Sequence, residues 1–154
     1  MKNLLLATAV LLLVACTGRK TYDHFEPTPL SGWERNDSLF FSVPRTDLPG
    51  IFAMEAGVRI DNTYPFMALT LIIEQKITPG NRTKADTLAC KLIDNHGIAL
   101  GQGINLYQYK FRVSNVKLNY GDSLTVIVRH DMKREILPGI CDVGISLSRL
   151  SIEH

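Results

Sequence analysis

Residues 51–60 read IFAMEAGVRI, and this stretch decides the fold because apolar residues occupy every second position. One face of the predicted strand carries five apolar side chains: Phe52, Met54, Ala56, Val58 and Ile60. Glu55 and Arg59 lie on the opposite face. Successive side chains of a β-strand point to opposite faces, so this period of two predicts a strand with one buried and one wet side.

Similar short runs continue on both sides of this strand, separated by turn residues. We predict strands over residues 38–43, 51–60, 67–75, 86–94, 107–113, 124–129 and 140–150, with a short hairpin return at 98–100. After residue 16 there is no sustained helical periodicity, and residues 131–135 are the best place for a single helical turn. The sequence therefore predicts an all-β chain, a single antiparallel β-sandwich of about seven or eight strands. A jelly-roll and an immunoglobulin-like strand order both fit.

The amino terminus has the pattern of a secretory signal. Lys2 precedes an apolar run over residues 4–14, which is too short to span a bilayer, and Ala15 precedes Cys16. With Leu13 three residues before the cysteine, the segment resembles a bacterial lipobox. This resemblance implies that the chain is cleaved before Cys16 and that the sulfur of Cys16 is acylated, for example with palmitate. An ordinary signal with a chance cysteine is the alternative. We predict a signal peptide at 1–15, a lipid-anchored tether at 16–30 and the β-sandwich domain at 31–154.

Charge and cysteine content narrow the class of protein further. Among 154 residues, 17 Lys and Arg oppose 15 Asp and Glu, and removing Lys2 with the signal leaves a net charge of +1. This balance does not predict a nucleic-acid partner. Outside the cytoplasm a disulfide between Cys90 and Cys141 is chemically allowed, but two separate buried thiols are the favoured interpretation.

The sequence does not predict an enzyme, a metal site, a cofactor or a small-molecule substrate. The four histidines lack metal-ligand spacing, and there is no nucleophile elbow or phosphate loop. Neighbours His130 and Asp131 would point to opposite faces of a strand, so they cannot act as a pair. Asp94 is expected to satisfy the turn at His96. Asp142 lies in an apolar strand and is expected to have an arginine partner.

Several motifs along nearly the whole chain resemble the gliding-motility lipoprotein family of the Bacteroidetes, the GldH type. They are the lipobox at Cys16, Trp33 with Asp37 and Phe41, residues 59–62 followed by Tyr64 and Pro65, Asp86 with Thr87, residues 132–134, and residues 139–144. The resemblance implies a component associated with motility machinery and type IX secretion, without catalytic or cofactor residues. It implies membrane attachment through the amino-terminal lipid and contact with other envelope proteins.

Two binding surfaces are candidates at this stage. Aromatic and arginine residues dominate protein interfaces, which favours a protein-contact surface made of Trp33, Tyr64, Pro65, Met132 and Arg134. For the lone Trp33 itself, a lid on one end of the core is the favoured interpretation. A carbohydrate-binding sandwich is the second hypothesis, with Trp33, Tyr107 and Tyr109 as a stacking platform.

Two further expectations concern modification and location. Asp precedes Ser38, Thr87 and Ser123, each followed by Leu, and these tripeptides resemble the sequon of periplasmic O-glycosylation in the Bacteroidetes. Turn-to-strand junctions have the same composition, which is the alternative interpretation. Residues 17–20 lack the acidic run that resembles a surface-export signal, so we expect an outer-membrane protein facing the periplasm.

Overall fold

A computed structural model describes residues 20–150 as ten β-strands, with no helix in that range. The strands are β1 (Lys20–Pro27), β2 (Trp33–Glu34), β3 (Leu39–Val43), β4 (Gly50–Asp61), β5 (Ala68–Thr78), β6 (Arg82–Lys91), β7 (Leu106–Leu118), β8 (Ser123–His130), β9 (Ile136–Leu137) and β10 (Ile140–Arg149). The all-β prediction is confirmed. The helical turn at residues 131–135 is wrong, because that segment forms bends instead.

The strands form two four-stranded antiparallel sheets that pack as a sandwich. The first sheet has the order β1-β10-β4-β7, the second has the order β3-β8-β5-β6, and β2 pairs with β9 alone. The first strand therefore pairs with the last, and each sheet alternates strands from early and late in the chain. This is the order of an eight-stranded jelly roll, and the immunoglobulin-like alternative is wrong.

The alternation in β4 creates one wall of the core. All five predicted inward side chains of β4, from Phe52 to Ile60, are almost fully buried. They face the inward side chains of β5, of which Leu69, Leu71 and Ile73 are completely buried. Burying a side chain of this size stabilises a fold by about 1.5–3 kcal/mol, so these two strands contribute much of the driving force.

A β-bulge in β7 changes which residues face the core. Met54 pairs with Ser114 and Glu55 with Arg112, so Val113 is an extra residue in the strand. Before the bulge the inward positions are odd-numbered, as at Tyr109; after it they are even-numbered, as at Val116. The bulge lets Ser114 accept a 3.0 Å hydrogen bond from Nε2 of buried Gln75 across the two sheets.

The tether predicted over residues 16–30 differs from the structure, in which the chain is already part of the sandwich from residue 20. Residues 20–27 form β1, which pairs with β10 from Lys20 opposite Ser148 to Pro27 opposite Asp142. The predicted start of the domain at residue 31 is therefore too late. Sequence alternation does not reveal β1 because it is an edge strand with no fully buried residue.

Phe25 fixes β1 on the outer face of the first sheet. Its ring lies where side chains of Gly57 and Gly144 would be: a Cβ on either would come within 2.8 Å of the ring. The guanidinium of Arg59 lies over the ring, 3.8 Å from its centroid. Arg59 Nη1 also donates to Asp142 Oδ2 at 3.0 Å, which confirms the expected arginine partner of Asp142.

Candidate functional site

Antiparallel strands place alternate loops at opposite ends of the sandwich, and the two ends differ in character. We call residues 26–38, 60–68, 91–107 and 130–142 the Trp33 end. We call residues 20–22, 43–52, 76–84, 116–124 and 147–150 the Lys20 end. All five residues of the predicted protein-contact surface belong to the Trp33 end, so the fold brings these separate segments to one end of the molecule.

The structure nevertheless corrects three of those five residues as surface candidates. Trp33 is completely buried, Tyr64 is nearly so, and Met132 is half-buried with its sulfur accepting a hydrogen bond from Thr70 N at 3.3 Å. Their apolar groups complete the core at this end. Pro65 and Arg134 are exposed and remain available for contact.

Trp33 acts as the lid on the core and is locked by a buried histidine. Its indole N–H donates to the carbonyl of Asp37 at 2.7 Å, and its ring meets that of His130 edge to face, with centroids 5.2 Å apart. Nε2 of His130 lies 3.0 Å from Trp33 O and 3.2 Å from Glu135 O. Because both partners are carbonyls, Nε2 carries the proton, and Nδ1 accepts from Met132 N at 3.3 Å.

The His130 imidazole is therefore held neutral. Burial lowers its pKa from the usual value, with a smaller lowering effect from Arg35, while the two carbonyl hydrogen bonds and Asp131 oppose the shift. His130 is buried while Asp131 is exposed, which confirms that these neighbours face opposite ways. The imidazole thus serves to tie the lid to β8.

Hydrogen bonds to the start of β5 and to the chain before β10 hold the turn at Tyr64 and Pro65 in place. Tyr64 donates through its hydroxyl to Ala68 O at 2.8 Å, and burial raises the pKa of this phenol. Asp61 N donates to Gly139 O at 2.8 Å, which joins the turn to the chain before β10. Gly139 has a φ of +82°, and a Cβ there would collide with the backbone of Tyr64, so only glycine fits.

A group of exposed apolar side chains at the Trp33 end is not among the residues predicted from the sequence. Five large apolar side chains lie exposed in or beside the loop between β6 and β7: Met67, Ile98, Leu100, Ile104 and Leu106. Ile104 is 84% exposed and Ile98 is 62% exposed. The signal was present, since apolar residues at 98–106 occur among glycines with no strand alternation, where a solvated loop would be polar.

Hydrogen bonds within this loop and to β7 hold its backbone in place. Asp94 Oδ1 accepts from His96 N at 2.8 Å and from Ile98 N at 2.9 Å, which confirms its predicted turn role. The Tyr109 hydroxyl donates to Leu92 O at 2.7 Å, so β7 supports the start of the loop. A pocket of ≈ 440 Å³ lies between residues 100–102 and β7. The apolar side chains are thus presented on a fixed framework.

The side chains suited to catalysis are few in the described range. Residues 20–150 contain no group of three His, Cys, Asp or Glu that could hold a metal ion. Cys90 and Cys141 are free thiols, as favoured from the sequence, although Cys141 is only half-buried. Burial raises the pKa of Cys90 to about 12, which keeps it a protonated thiol and a poor nucleophile.

The predicted carbohydrate platform does not form. Trp33 and Tyr109 are buried, and only Tyr107 of the three rings keeps substantial exposure. Stacking on a sugar requires exposed ring faces, so the structure does not favour the carbohydrate-binding hypothesis.

The predicted modification sites differ in accessibility. Thr87 is exposed in the middle of β6 and not at a strand start. Ser38 is half-buried before β3, and the hydroxyl of Ser123 is 2.8 Å from that of Thr78. Cys16 lies outside the described residues. Within residues 20–150 there is no helix long and apolar enough to cross a membrane.

Comparison with known proteins gives concordant matches over the whole domain. The family model described as GldH lipoprotein matches residues 20–147. The gliding motility lipoprotein GldH of Flavobacterium johnsoniae is 30% identical over 154 residues, which covers 94% of this chain and 94% of that protein. A gliding motility lipoprotein GldH homolog of Christiangramia forsetii is 24% identical over 152 residues, covering 91% of this chain and 90% of that protein. Among solved structures, a family 35 carbohydrate binding module from Clostridium thermocellum is similar at 12% sequence identity and a TM-score of 0.41. The match covers 84% of this chain and 89% of the chain of that module.

Proposed function

The chain belongs to the GldH lipoprotein family, and from this membership we propose that it is a non-enzymatic envelope lipoprotein that supports gliding or type IX secretion machinery by protein contact. Its anchor is the acylated Cys16. Its location is the outer membrane with the domain facing the periplasm, as the absence of an acidic run after Cys16 indicates. Its partner is another envelope protein with an apolar docking surface.

The observation that carries this proposal is the apolar loop at the Trp33 end. Exposed large apolar side chains usually occur singly on a soluble domain, whereas here five of them lie in or beside one loop. A protein interface has an apolar centre and a polar rim, and the exposed Arg134 at the same end supplies a polar residue for the rim. The ordered framework beneath the loop lowers the conformational cost of binding.

Site-specific photo-crosslinking in the native host tests this proposal. A photoreactive amino acid at position 104 or 98 should capture one envelope protein of defined mass. The matched control is position 74, where Glu74 is exposed on the outer face of β5, away from the Trp33 end. The same adduct at positions 104 and 74, or no adduct at 98 and 104, would contradict the proposal.

A further inference from the structure

We propose that the Lys20 end docks on the anionic headgroups of the bilayer that holds the anchor, with the Trp33 end directed away from the membrane. This inference rests on the acylation of Cys16 in the proposed function. Three features carry it: the charge of the two ends, the exposed apolar side chains of the Lys20 end, and the length of chain between Cys16 and β1.

The charges of the domain are separated between its two ends. The Lys20 end has seven basic and two acidic residues, a net charge of +5: Lys20, Arg45, Lys76, Arg82, Lys84, Lys117 and Arg149 against Asp47 and Asp122. The Trp33 end has four basic and eight acidic residues, a net charge of −4. The formal charge of the whole chain is only +2, so its near-neutral balance conceals two poles.

Some of these basic residues are paired and others are not. Just outside the ranges of the Lys20 end, Asp23 pairs with Lys20 at 3.1 Å and Asp86 with Lys84 at 3.6 Å, and counting both carboxylates lowers the net charge of this end from +5 to +3. Asp122 is buried and accepts a hydrogen bond from Arg82 Nη2 at 2.8 Å, so Asp47 is the one exposed carboxylate of the Lys20 end as defined above. Arg45 and Lys117 are exposed and make no ion pair in the described structure. Basic residues near an anionic bilayer are attracted to it within about a Debye length, roughly 8–10 Å.

Exposed apolar and aromatic side chains accompany these basic residues. Leu48, Ile51, Tyr120 and Leu150 are all exposed at the Lys20 end, and Tyr120 is 76% exposed. Backbone hydrogen bonds of 2.9 Å from Gly121 N to Thr46 O and from Leu150 N to Ile51 O join the segments that carry them. Basic residues mixed with aromatic and aliphatic ones are typical of surfaces that lie in the membrane interface.

The distance to the anchor is short. Four residue steps separate Cys16 from Lys20, and an extended chain spans at most about 3.6 Å per residue, or about 14 Å in total. An acylated Cys16 lies at the bilayer surface, so the first residue of β1 cannot be farther away than that. The anchor therefore keeps the positive pole close to the headgroups, and a lipid surface is favoured over a soluble acidic partner.

Fluorescence quenching in vesicles tests the orientation. The mature lipidated protein, with a fluorescent amino acid at position 120 or 104, is reconstituted into phosphatidylethanolamine vesicles containing phosphatidylglycerol and a headgroup-nitroxide lipid. We expect severalfold stronger quenching at position 120 than at position 104. Replacing phosphatidylglycerol with phosphatidylcholine, or raising the salt to 1 M, should reduce the quenching at position 120.

Charge reversal supplies the matched control. The double variant Arg45→Glu with Lys117→Glu should lose most of the quenching at position 120. The double variant Lys110→Glu with Arg112→Glu, on β7 outside both ends, should keep it. Equal quenching at positions 120 and 104 in vesicle-bound protein would overturn the docking and leave the proposed anchoring intact. Protein that does not remain on the vesicles would overturn both.

Discussion

Positions 57 and 144 require glycine, because the ring of Phe25 occupies the space on the outer face of the first sheet where a side chain would lie. Arg59 covers the same ring and pairs with Asp142, so five residues from three strands form one stack. The sequence alone predicts the pairing of Asp142 with an arginine, because an isolated carboxylate in an apolar strand is costly. It does not predict Phe25, because a ring lying over glycines leaves no periodic pattern.

The stack gives a sharp test at a single position. Gly144→Ala should destabilise the folded protein by about 1–3 kcal/mol, because the new methyl group overlaps the Phe25 ring. The measurement is urea unfolding. In a Phe25→Ala background the same substitution should lower the free energy of unfolding much less, because the ring that the methyl group would overlap is absent. An equal loss of unfolding free energy in both backgrounds would show that the Phe25 ring does not lie over Gly144.

His130 makes the stability of the domain depend on pH. Burial lowers its pKa in the folded protein, so as the pH falls below about 6.5 the unfolded chain binds the proton first. The free energy of unfolding should therefore decrease below pH 6.5, until the pH reaches the lower folded-state pKa. His130→Gln retains a side-chain N–H donor and removes this titration, so its stability should decrease less between pH 7.5 and 5.

Urea unfolding at several pH values checks this expectation. His96→Gln is the matched control, because His96 is exposed in a turn. The control should keep the pH dependence of the unmodified protein. A His130→Gln protein with an unchanged pH dependence would contradict the assignment of a neutral buried imidazole.

Strands differ in how far the sequence reveals them. The inward faces of β4 and β8 follow from local alternation, because one face of each is buried by the opposite sheet, whereas β5 is predicted from its nearly continuous apolar run. The polar edge strand β1 and the two-residue strands β2 and β9 give no such signal. The bulge at Val113 is equally hidden, because it depends on the pairing partner in β4. Strand order is non-local, so the jelly roll required the structure.

The pairing of β1 with β10 is testable by crosslinking. Asp23 lies opposite Ser146, so the pair Asp23→Cys with Ser146→Cys should form a disulfide rapidly under mild oxidation. Glu55 lies opposite Ser146 on the far side of β10, about 9.6 Å from Asp23 at the usual strand spacing. Asp23→Cys with Glu55→Cys is therefore the control and should not form a disulfide. Equal yields would indicate that residues 20–27 are not fixed in the sheet.

Considered as a whole, the domain has two poles with different chemistry. One end is basic and contains Lys20, the first described residue, while the other is acidic and carries the apolar loop. The sequence does not reveal at which end of the sandwich a residue lies, because the jelly-roll connections bring residues that are far apart in the chain to the same end. Residue type alone does not distinguish a buried aromatic side chain from one at an interface, which is why Tyr64 is predicted on the surface and is found in the core, where Trp33 is the favoured lid.

The apolar loop gives a prediction for the whole molecule. Ile104→Asp should leave the melting temperature within a few degrees of that of the unmodified protein, because Ile104 is mostly exposed and packs little. The same variant should lower gliding or secretion in a host that depends on this protein, because it places a charge in the proposed docking surface. Glu74→Lys, on the outer face of β5, is the control and should leave the phenotype unchanged. Full activity of Ile104→Asp would contradict a role for this loop.

The position of β1 has a mechanical consequence. A pull transmitted from a partner at one pole to the lipid at the other would run parallel to β1, whose hydrogen bonds to β10 lie across that direction. Seven registered residue pairs would then share the load in shear and would not open one after another. A domain loaded through its first strand in this way would resist tension between its two ends before it unfolds.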